Sequence, residues 1–337
     1  MVHRVARDPG TRWVEDPVPA IEGPPDSEVA DGGVPDPAGV WPGDAKRTGL
    51  AGVVAPNVVP VADGLLRMYY TQILPRPGYP AGATEYEYAS ARILSAVSTD
   101  GERWVPDSAV RLSPQEGGAG DSRLASSEVV PIPGTPGHLR MYFECAPRTL
   151  ADPCSIRSAV SEDDGLTWRV EPGDRLSDPG AAYTAPRLLY LEDGRCRLYA
   201  SLRPEGVVSA ISEEGLRFER EPGYRIHRGD EFATVFAAEV LQIASGGYRM
   251  YYGGYPDLTR ACILSAVSED GLEWQLEPEP VLTPGGKHGA AKVSEMCVIG
   301  IPAPDGSERY RMFYEAADGT APGSRGVWRI LAADAAP

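Results

Sequence analysis

No run in the sequence approaches 18 consecutive apolar residues, so a membrane-spanning helix is not expected. The N-terminus, MVHRVARDPGTRW, lacks an apolar stretch of signal-peptide length, which points to a cytoplasmic protein. Cysteine is sparse. The five residues (Cys145, Cys154, Cys196, Cys262 and Cys297) are odd in number and show no CxxC spacing, so they read as free thiols rather than a disulfide framework. The four histidines are too scattered for a zinc site, and no calcium loop is recognisable. No cofactor or metal is therefore expected. Positive charge is in short supply, with 32 Lys and Arg against 48 Asp and Glu, giving a formal charge of −16. Nucleic acid and anionic membranes, both polyanions, are poor partners for such a surface. Helical periodicity of useful length is also missing.

What the chain has instead is a repeated phrase. SAVSTDGERWVPD begins at Ser95, SAVSEDDGLTWRVEP at Ser158, SAISEEGLRFEREP at Ser209 and SAVSEDGLEWQLEPEP at Ser265. Ahead of each stands a short apolar-aromatic segment: LRMYYTQ at 66–72, LRMYFEC at 139–145, CRLYASL at 196–202 and YRMYYGG at 248–254. A fifth, YRMFYEA, lies at 310–316. Ahead of these lies a further apolar run: APNVVPV, SSEVVPI, APRLLYL, AAEVLQI and SEMCVIG. Alternation and the Val, Ile and Tyr content read as strands, and Asp-Gly or Glu-Gly supplies a hairpin turn.

Four short strands repeated at this spacing are propeller blades. The expected fold class is all-β: one five-bladed β-propeller over residues 1–337, with four-stranded antiparallel blades at about 46–114, 115–178, 179–228, 229–284 and 285–337. The fifth unit ends at VWRILAAD without an outer strand, whereas DPGTRWVEDPVP at 8–19 matches EDGLEWQLEPEP at 269–280. Residues 1–21 are thus expected to complete the last blade and close the ring, which removes an exposed sheet edge. The Pro/Gly-rich residues 22–45 would cross to blade one. In the turns, Asp shapes the backbone, Gly supplies positive φ and Trp wedges between sheets. Four copies of one motif cannot all be one active site, so these turns read as scaffold.

Chemistry is expected where the inner strands meet. Their alignment puts Asn57, Glu128, Arg187 and Glu239 at one equivalent position, with Glu295 alongside. Close carboxyls raise one another's pKa and suit one of them to proton donation. The competing reading is that Arg187 only neutralises two glutamates and staples the blades. Second-strand ends add Thr71, Gln72, Glu144 and Glu315. The long loop PRPGYPAGATEYEYASAR would open on the same face. Loops entering the inner strands add Asp121, Arg123, Tyr183, Asp230, Glu231, Lys287, His288 and Lys292, among which GGKHGAAKVSE combines glycines with a base and a cation.

The SAVSxDGxxW phrase behind an RMYY strand resembles the five-bladed propeller glycoside hydrolases, which include arabinanases, xylosidases, invertases, levansucrases and mannoside phosphorylases. SEDDGLTW at 161–168 also fits the Asp-box pattern of sialidases and related propellers. The resemblance implies a carbohydrate-active fold, but its acids do not carry over. Where the family has an Asp before Pro on the first inner strand, Ala55 precedes Pro56. Where it has a general acid on a later blade, Thr184-Ala185-Pro186 stands; Glu144-Cys145 offers Glu-Cys, but on a second strand.

Three functions remain open. One is a glycoside hydrolase-like enzyme acting on a saccharide or glycosylated small molecule, with Glu239 as acid, Glu128 as base or nucleophile and Glu295 tuning them. Asn57, Arg187 and Tyr183 would hold hydroxyls, and Arg187, Lys287 and His288 would hold phosphate in a phosphorolytic variant. The second is a cyclase, lyase or isomerase of small-molecule metabolism on the same frame. The third is a non-catalytic sugar-binding propeller.

Overall fold

The structure, a computed structural model, describes residues 3–22, 52–75, 89–120, 122–146, 153–257, 259–302, 308–320 and 326–336. Apart from Glu22, the crossing expected at 22–45 lies outside these residues, as do most of the long loop after the first RMYY strand and Asp121. Beta-branched and aromatic runs bounded by Gly and Pro form strands throughout, and the described residues are all-β apart from a 3-10 turn at Ala62–Gly64. Two short N-terminal strands, β1 (Arg4–Val5) and β2 (Trp13–Glu15), come first. Four antiparallel meanders follow. They are β3 (Gly52–Pro60), β4 (Leu66–Pro75), β5 (Ala89–Ser98) and β6 (Val105–Pro106); β7 (Arg123–Pro131), β8 (Leu139–Ala146), β9 (Ser155–Ser161) and β10 (Arg169–Val170); β11 (Tyr183–Tyr190), β12 (Cys196–Leu202), β13 (Gly206–Ser212) and β14 (Glu219–Arg220), with β15 (Ile226–His227) also on β13; and β16 (Thr234–Ile243), β17 (Tyr248–Asp257), β18 (Arg260–Ser268) and β19 (Gln275–Leu276). Last come β20 (Lys292–Pro302), β21 (Glu308–Ala317) and β22 (Trp328–Ala335), and β2 pairs antiparallel with β22, Val14 opposite Asp334.

The repeated letters have repeated jobs. The Arg of each RMYY segment and the Ser of each SAVS segment meet the acid that follows the fourth strand. Ser158 Oγ and Arg140 Nε reach Glu171 Oε2 at 2.6 and 3.0 Å, and Ser209 Oγ and Arg197 Nε reach Glu221 Oε2 at 2.6 and 2.9 Å. Arg311 finds its acid in Asp16, at 2.6 Å, immediately after β2. The third letter, an aromatic, packs edge-on against the turn aromatic of another meander: Tyr69 on Trp168, Tyr142 on Phe218, Tyr199 on Trp274, Tyr251 on Trp13 and Phe313 on Trp104. The tyrosine hydroxyls donate to turn glycine carbonyls, Tyr69 to Gly165 at 3.0 Å and Tyr251 to Gly10 at 2.6 Å. Gly165 itself needs positive φ (+80°) and leaves no room for a Cβ, which would fall 1.8 Å from the Tyr69 hydroxyl oxygen. In that turn Asp163 accepts from the Thr167 hydroxyl (2.6 Å) and amide (2.9 Å).

Apolar clusters fill the spaces between neighbouring meanders; one joins Tyr69 and Ile93 to Val129, Met141 and Phe143. The inner strands pack side by side, β3 on β7, β7 on β11, β11 on β16, β16 on β20 and β20 on β3. Four of them carry a bulge with a non-glycine residue at positive φ: Ala55 (54°), Ser126 (49°), Ala185 (48°) and Ala237 (58°). β20 takes a shorter detour at Glu295, without a positive φ. As a result the residues opposite the third-letter aromatics are Asn57, Glu128, Arg187, Glu239 and Cys297. Cys297 occupies the fifth equivalent place, and Glu295 falls inside the bulge.

Candidate functional site

Two layers of polar side chains line the inner strands. The first consists of Asn57, Glu128, Arg187 and Glu239, all 0–2% exposed, and an unexpected fifth member. His3 enters from the far ends of the inner strands, where β1 runs parallel to the end of β16 and the His3 carbonyl accepts the Gln242 amide. Its Nε2 lies 2.6 Å from Glu128 Oε1, and its Nδ1 stands 3.3 Å from Glu239 Oε1. Asn57 Nδ2 donates to Glu128 Oε2 at 2.6 Å, and Arg187 Nε donates to Glu239 Oε2 at 3.0 Å.

Backbone amides complete the layer in a repeating way. Val129 donates to Asn57 Oδ1 (2.9 Å), Leu188 to Glu128 Oε1 (3.2 Å), Val298 to Glu239 Oε1 (3.0 Å) and Val58 to Cys297 Sγ (3.3 Å). Asn57, Glu128, Glu239 and the equivalent Cys297 thus each accept from a neighbouring inner strand. Burial alone would strip His3 of its proton, but Glu128 and Glu239 outweigh it and push the imidazole up to about 10. Burial also opposes ionisation of Glu239, yet His3, Arg187 and the Val298 amide hold it below the ordinary carboxylate range.

The second layer lies at the bulges. Glu295 Oε2 accepts from Ser126 Oγ at 3.2 Å, while the buried Oε1 accepts no hydrogen bond among the described residues and stands 3.7 Å from Arg187 Nη2. Glu315 accepts from Ser294 Oγ at 2.5 Å and from the strained Ala55 amide at 3.2 Å. Tyr255 meets Ser294 Oγ at 2.8 Å. Arg203 donates to Thr184 Oγ1 at 3.2 Å and lies over the Phe236 ring, 4.9 Å from its centroid. Glu144 is buried close enough for its charge to act on Glu295. Burial raises Glu295, with Glu144 adding and Arg187 opposing; burial and the Glu295 charge push Glu315 up to about 8. This layer therefore holds carboxyls of differing proton affinity, the condition for acid–base work.

The expected site residues divide accordingly. Asn57, Glu128, Arg187 and Glu239 meet in the first layer, and Glu295 and Glu144 belong to the second. Tyr183 does not join them: its ring packs among Leu188, Leu198 and Val208, and its hydroxyl donates to Asp178 at 2.5 Å. Lys287 is exposed, and His288, partly exposed, lies near Arg329, Glu22 and Asp318 and is held low by burial and Arg329. His3 had no local signal. Its presence follows only from charge balance, because two fully buried glutamates beside one arginine require a second cation. Glu315 was noticed as a strand end, whereas Arg203 and Ser294 were not.

Two clefts among the described residues lie elsewhere. One of about 810 Å³ is walled by Tyr248, Trp274, Glu269 and Asp270, and another of about 410 Å³ shares part of that wall and reaches Arg4 and Glu192. Neither contains a residue of the two layers. Among the described residues no group of three or more His, Cys, Asp or Glu is placed to hold a metal ion, and no helix is long and apolar enough to cross a membrane.

Neither a protein-family model nor a curated protein matches the chain. Solved structures do. One described as a glycoside hydrolase has a TM-score of 0.67 at 16% identity, covering 96% of this chain and 93% of its own. An α-L-arabinofuranosidase from Podospora anserina, in complex with cellotriose, has a TM-score of 0.66 at 12% identity, covering 98% of both chains. A thermostable family-43 glycoside hydrolase has a TM-score of 0.64 at 18% identity, covering 83% and 88%. These are β-propeller glycosidases, and the chain shares their fold.

Proposed function

We propose that the protein is a glycosidase-like enzyme acting on a carbohydrate or glycosylated small molecule, with Glu315 as proton donor and Glu295 as the base or nucleophile. The observation that carries this is the buried Glu295 Oε1, which accepts no hydrogen bond among the described residues, beside Glu315, whose carboxyl burial and the Glu295 charge push up to about 8. A carboxyl still protonated at neutral pH can give its proton to a leaving oxygen, and a carboxylate oxygen not engaged by a protein donor can take one from water or attack carbon. Glu144 raises the proton affinity of Glu295 through its charge. We assign Glu128 and Glu239, first expected as base and acid, to the support of this site, because every oxygen they carry already faces a donor or cation within one layer of the inner strands. Tyr183, Lys287 and His288 have no part in this assignment.

The architecture we infer is a five-bladed ring over the whole chain, completed by the N-terminal strand. Pairing of β2 with β22, the Asp16–Arg311 pair, and the Trp104–Phe313 contact support it. The turns at 161–168 and their repeats act as scaffold in this ring.

Hydrolysis of aryl glycosides tests the reading: the wild type releases the aryl group from at least one glycoside, and Glu315→Gln and Glu295→Gln each lower that rate about 10²–10⁴-fold. A second reading, a cyclase, lyase or isomerase, is favoured by Ala55 and Thr184-Ala185 standing where the resembling family has its acids. It predicts that the wild type cleaves none of the glycosides.

A further inference from the structure

The chemistry proposed for Glu295 and Glu315 uses neither His3 nor Arg187, yet Arg187 touches both layers. Its Nε holds Glu239 Oε2 at 3.0 Å, Nη1 donates to the Pro186 carbonyl at 2.8 Å, and Nη2 donates to the Met296 carbonyl at 3.1 Å while standing 3.7 Å from Glu295 Oε1. The guanidinium is thereby fixed with one edge on the lower carboxylates and the other towards Glu295. Glu128 Oε2 is already 3.9 Å from Nε. What keeps Glu128 and Glu239 from competing for the whole fork is His3, whose two ring nitrogens face one carboxylate each. Only the imidazolium can offer a proton to both.

We propose that His3 and Arg187 are positioning residues, in which the N-terminal imidazolium occupies Glu128 and Glu239 so that Arg187 sets the charge on Glu295 from below. This rests on the reading of Glu295 as a reacting carboxyl. Among the described residues Glu144, Arg203 and Glu315 also act on Glu295, all on strands or loops other than β1, so a change at His3 leaves them in place. Removing the His3 charge leaves the lower layer with one more uncompensated carboxylate and makes Glu295 harder to ionise. At a low-dielectric site a charge two side chains away shifts a carboxyl by about one pH unit. Removing the Glu239 charge has the opposite sign.

The test is a ¹³C NMR titration of side-chain carboxyls in the full-length protein labelled at glutamate Cδ, with the Glu295 signal identified by its loss in Glu295→Gln. His3→Gln should raise the Glu295 midpoint by about one unit, and His3→Lys should return it close to wild type. Glu239→Gln should lower it, which keeps the proposal open to refutation if His3→Gln fails to fold. An unchanged Glu295 midpoint in a folded His3→Gln or Glu239→Gln protein overturns the proposal, as does a shift of the wrong sign. Because the signal needs no turnover, the shifts in a protein that cleaves no glycoside would support the relay while removing the proposed function. Unshifted midpoints in an active enzyme would do the reverse.

Discussion

Nε2 of His3, at the very start of the chain, lies 2.6 Å from Oε1 of Glu128, 125 residues further on, with both side chains buried where the inner strands meet. A buried ion pair of this kind need not add much net stability, but deleting one partner leaves a bare charge in the interior.

His3→Ala should therefore destabilise the fold by about 3–5 kcal/mol in denaturant unfolding. The pH dependence has a definite sign. His3 binds its proton more tightly folded, at about 10, than its ordinary 6.5, so its contribution is complete below about pH 6.5 and is lost as pH rises towards 10. Glu239, held low, contributes above its ordinary value of 4.5 and is lost in acid. Wild-type stability should fall between pH 6.5 and 10, and the alanine variant should show a smaller fall there, most clearly above pH 8.

Glu315 works in the same sense as His3 and opposite to Glu239. Its carboxyl is raised from 4.5 to about 8, so the folded state holds a proton that the unfolded state releases, and stability declines across that window as pH rises. Glu315→Gln should flatten the decline while lowering turnover about 10²–10⁴-fold. Unfolding curves at pH 5 and pH 8, set beside initial rates, check both halves.

Turn substitutions should act on stability alone. Gly165→Ala meets the Tyr69 hydroxyl and a positive φ, and should cost about 2 kcal/mol or more. Gly134→Ala has an equally positive φ (78°) but open space, and should cost only about 1–2 kcal/mol. Thermal melts distinguish them, and kcat for both should match wild type.

The scaffold was written plainly in the sequence because its letters repeat. The Arg of RMYY, the Ser of SAVS and the turn Gly and aromatic recur at one spacing, and where they recur they meet the same kind of partner. DPGTRWVED near the N-terminus was legible as a displaced copy for the same reason, down to Asp16 meeting Arg311. The alignment also brought Asn57, Glu128, Arg187 and Glu239 together. It sets Glu295 alongside these four, whereas β20 has a shorter bulge than the others, so Cys297 takes the equivalent position and Glu295 falls within the bulge. His3 lay beyond any repeat: it is a single residue, placed by a two-residue strand, and only the charge count in the interior asks for it. The role of Glu315 depends on burial and on the neighbouring Glu295, neither of which a strand pattern expresses.

The N-terminal strand carries a separate prediction. Trp13→Ala removes the ring that packs 5.7 Å from Tyr251 and should destabilise by about 2–4 kcal/mol. Deleting residues 1–15 should also bare the β22 edge that β2 covers, so that the shortened protein associates. Size-exclusion chromatography with light scattering should find larger species than in wild type.

The most direct measurement is a crystal structure with a hydrolysed sugar product soaked in at high concentration. The account predicts a sugar hydroxyl within hydrogen-bond distance of Glu295 or Glu315, and His3 still seated on Glu128 and Glu239. A sugar lodged against Glu128 and Glu239 with His3 displaced, or bound only in the cleft beside Trp274, would contradict it.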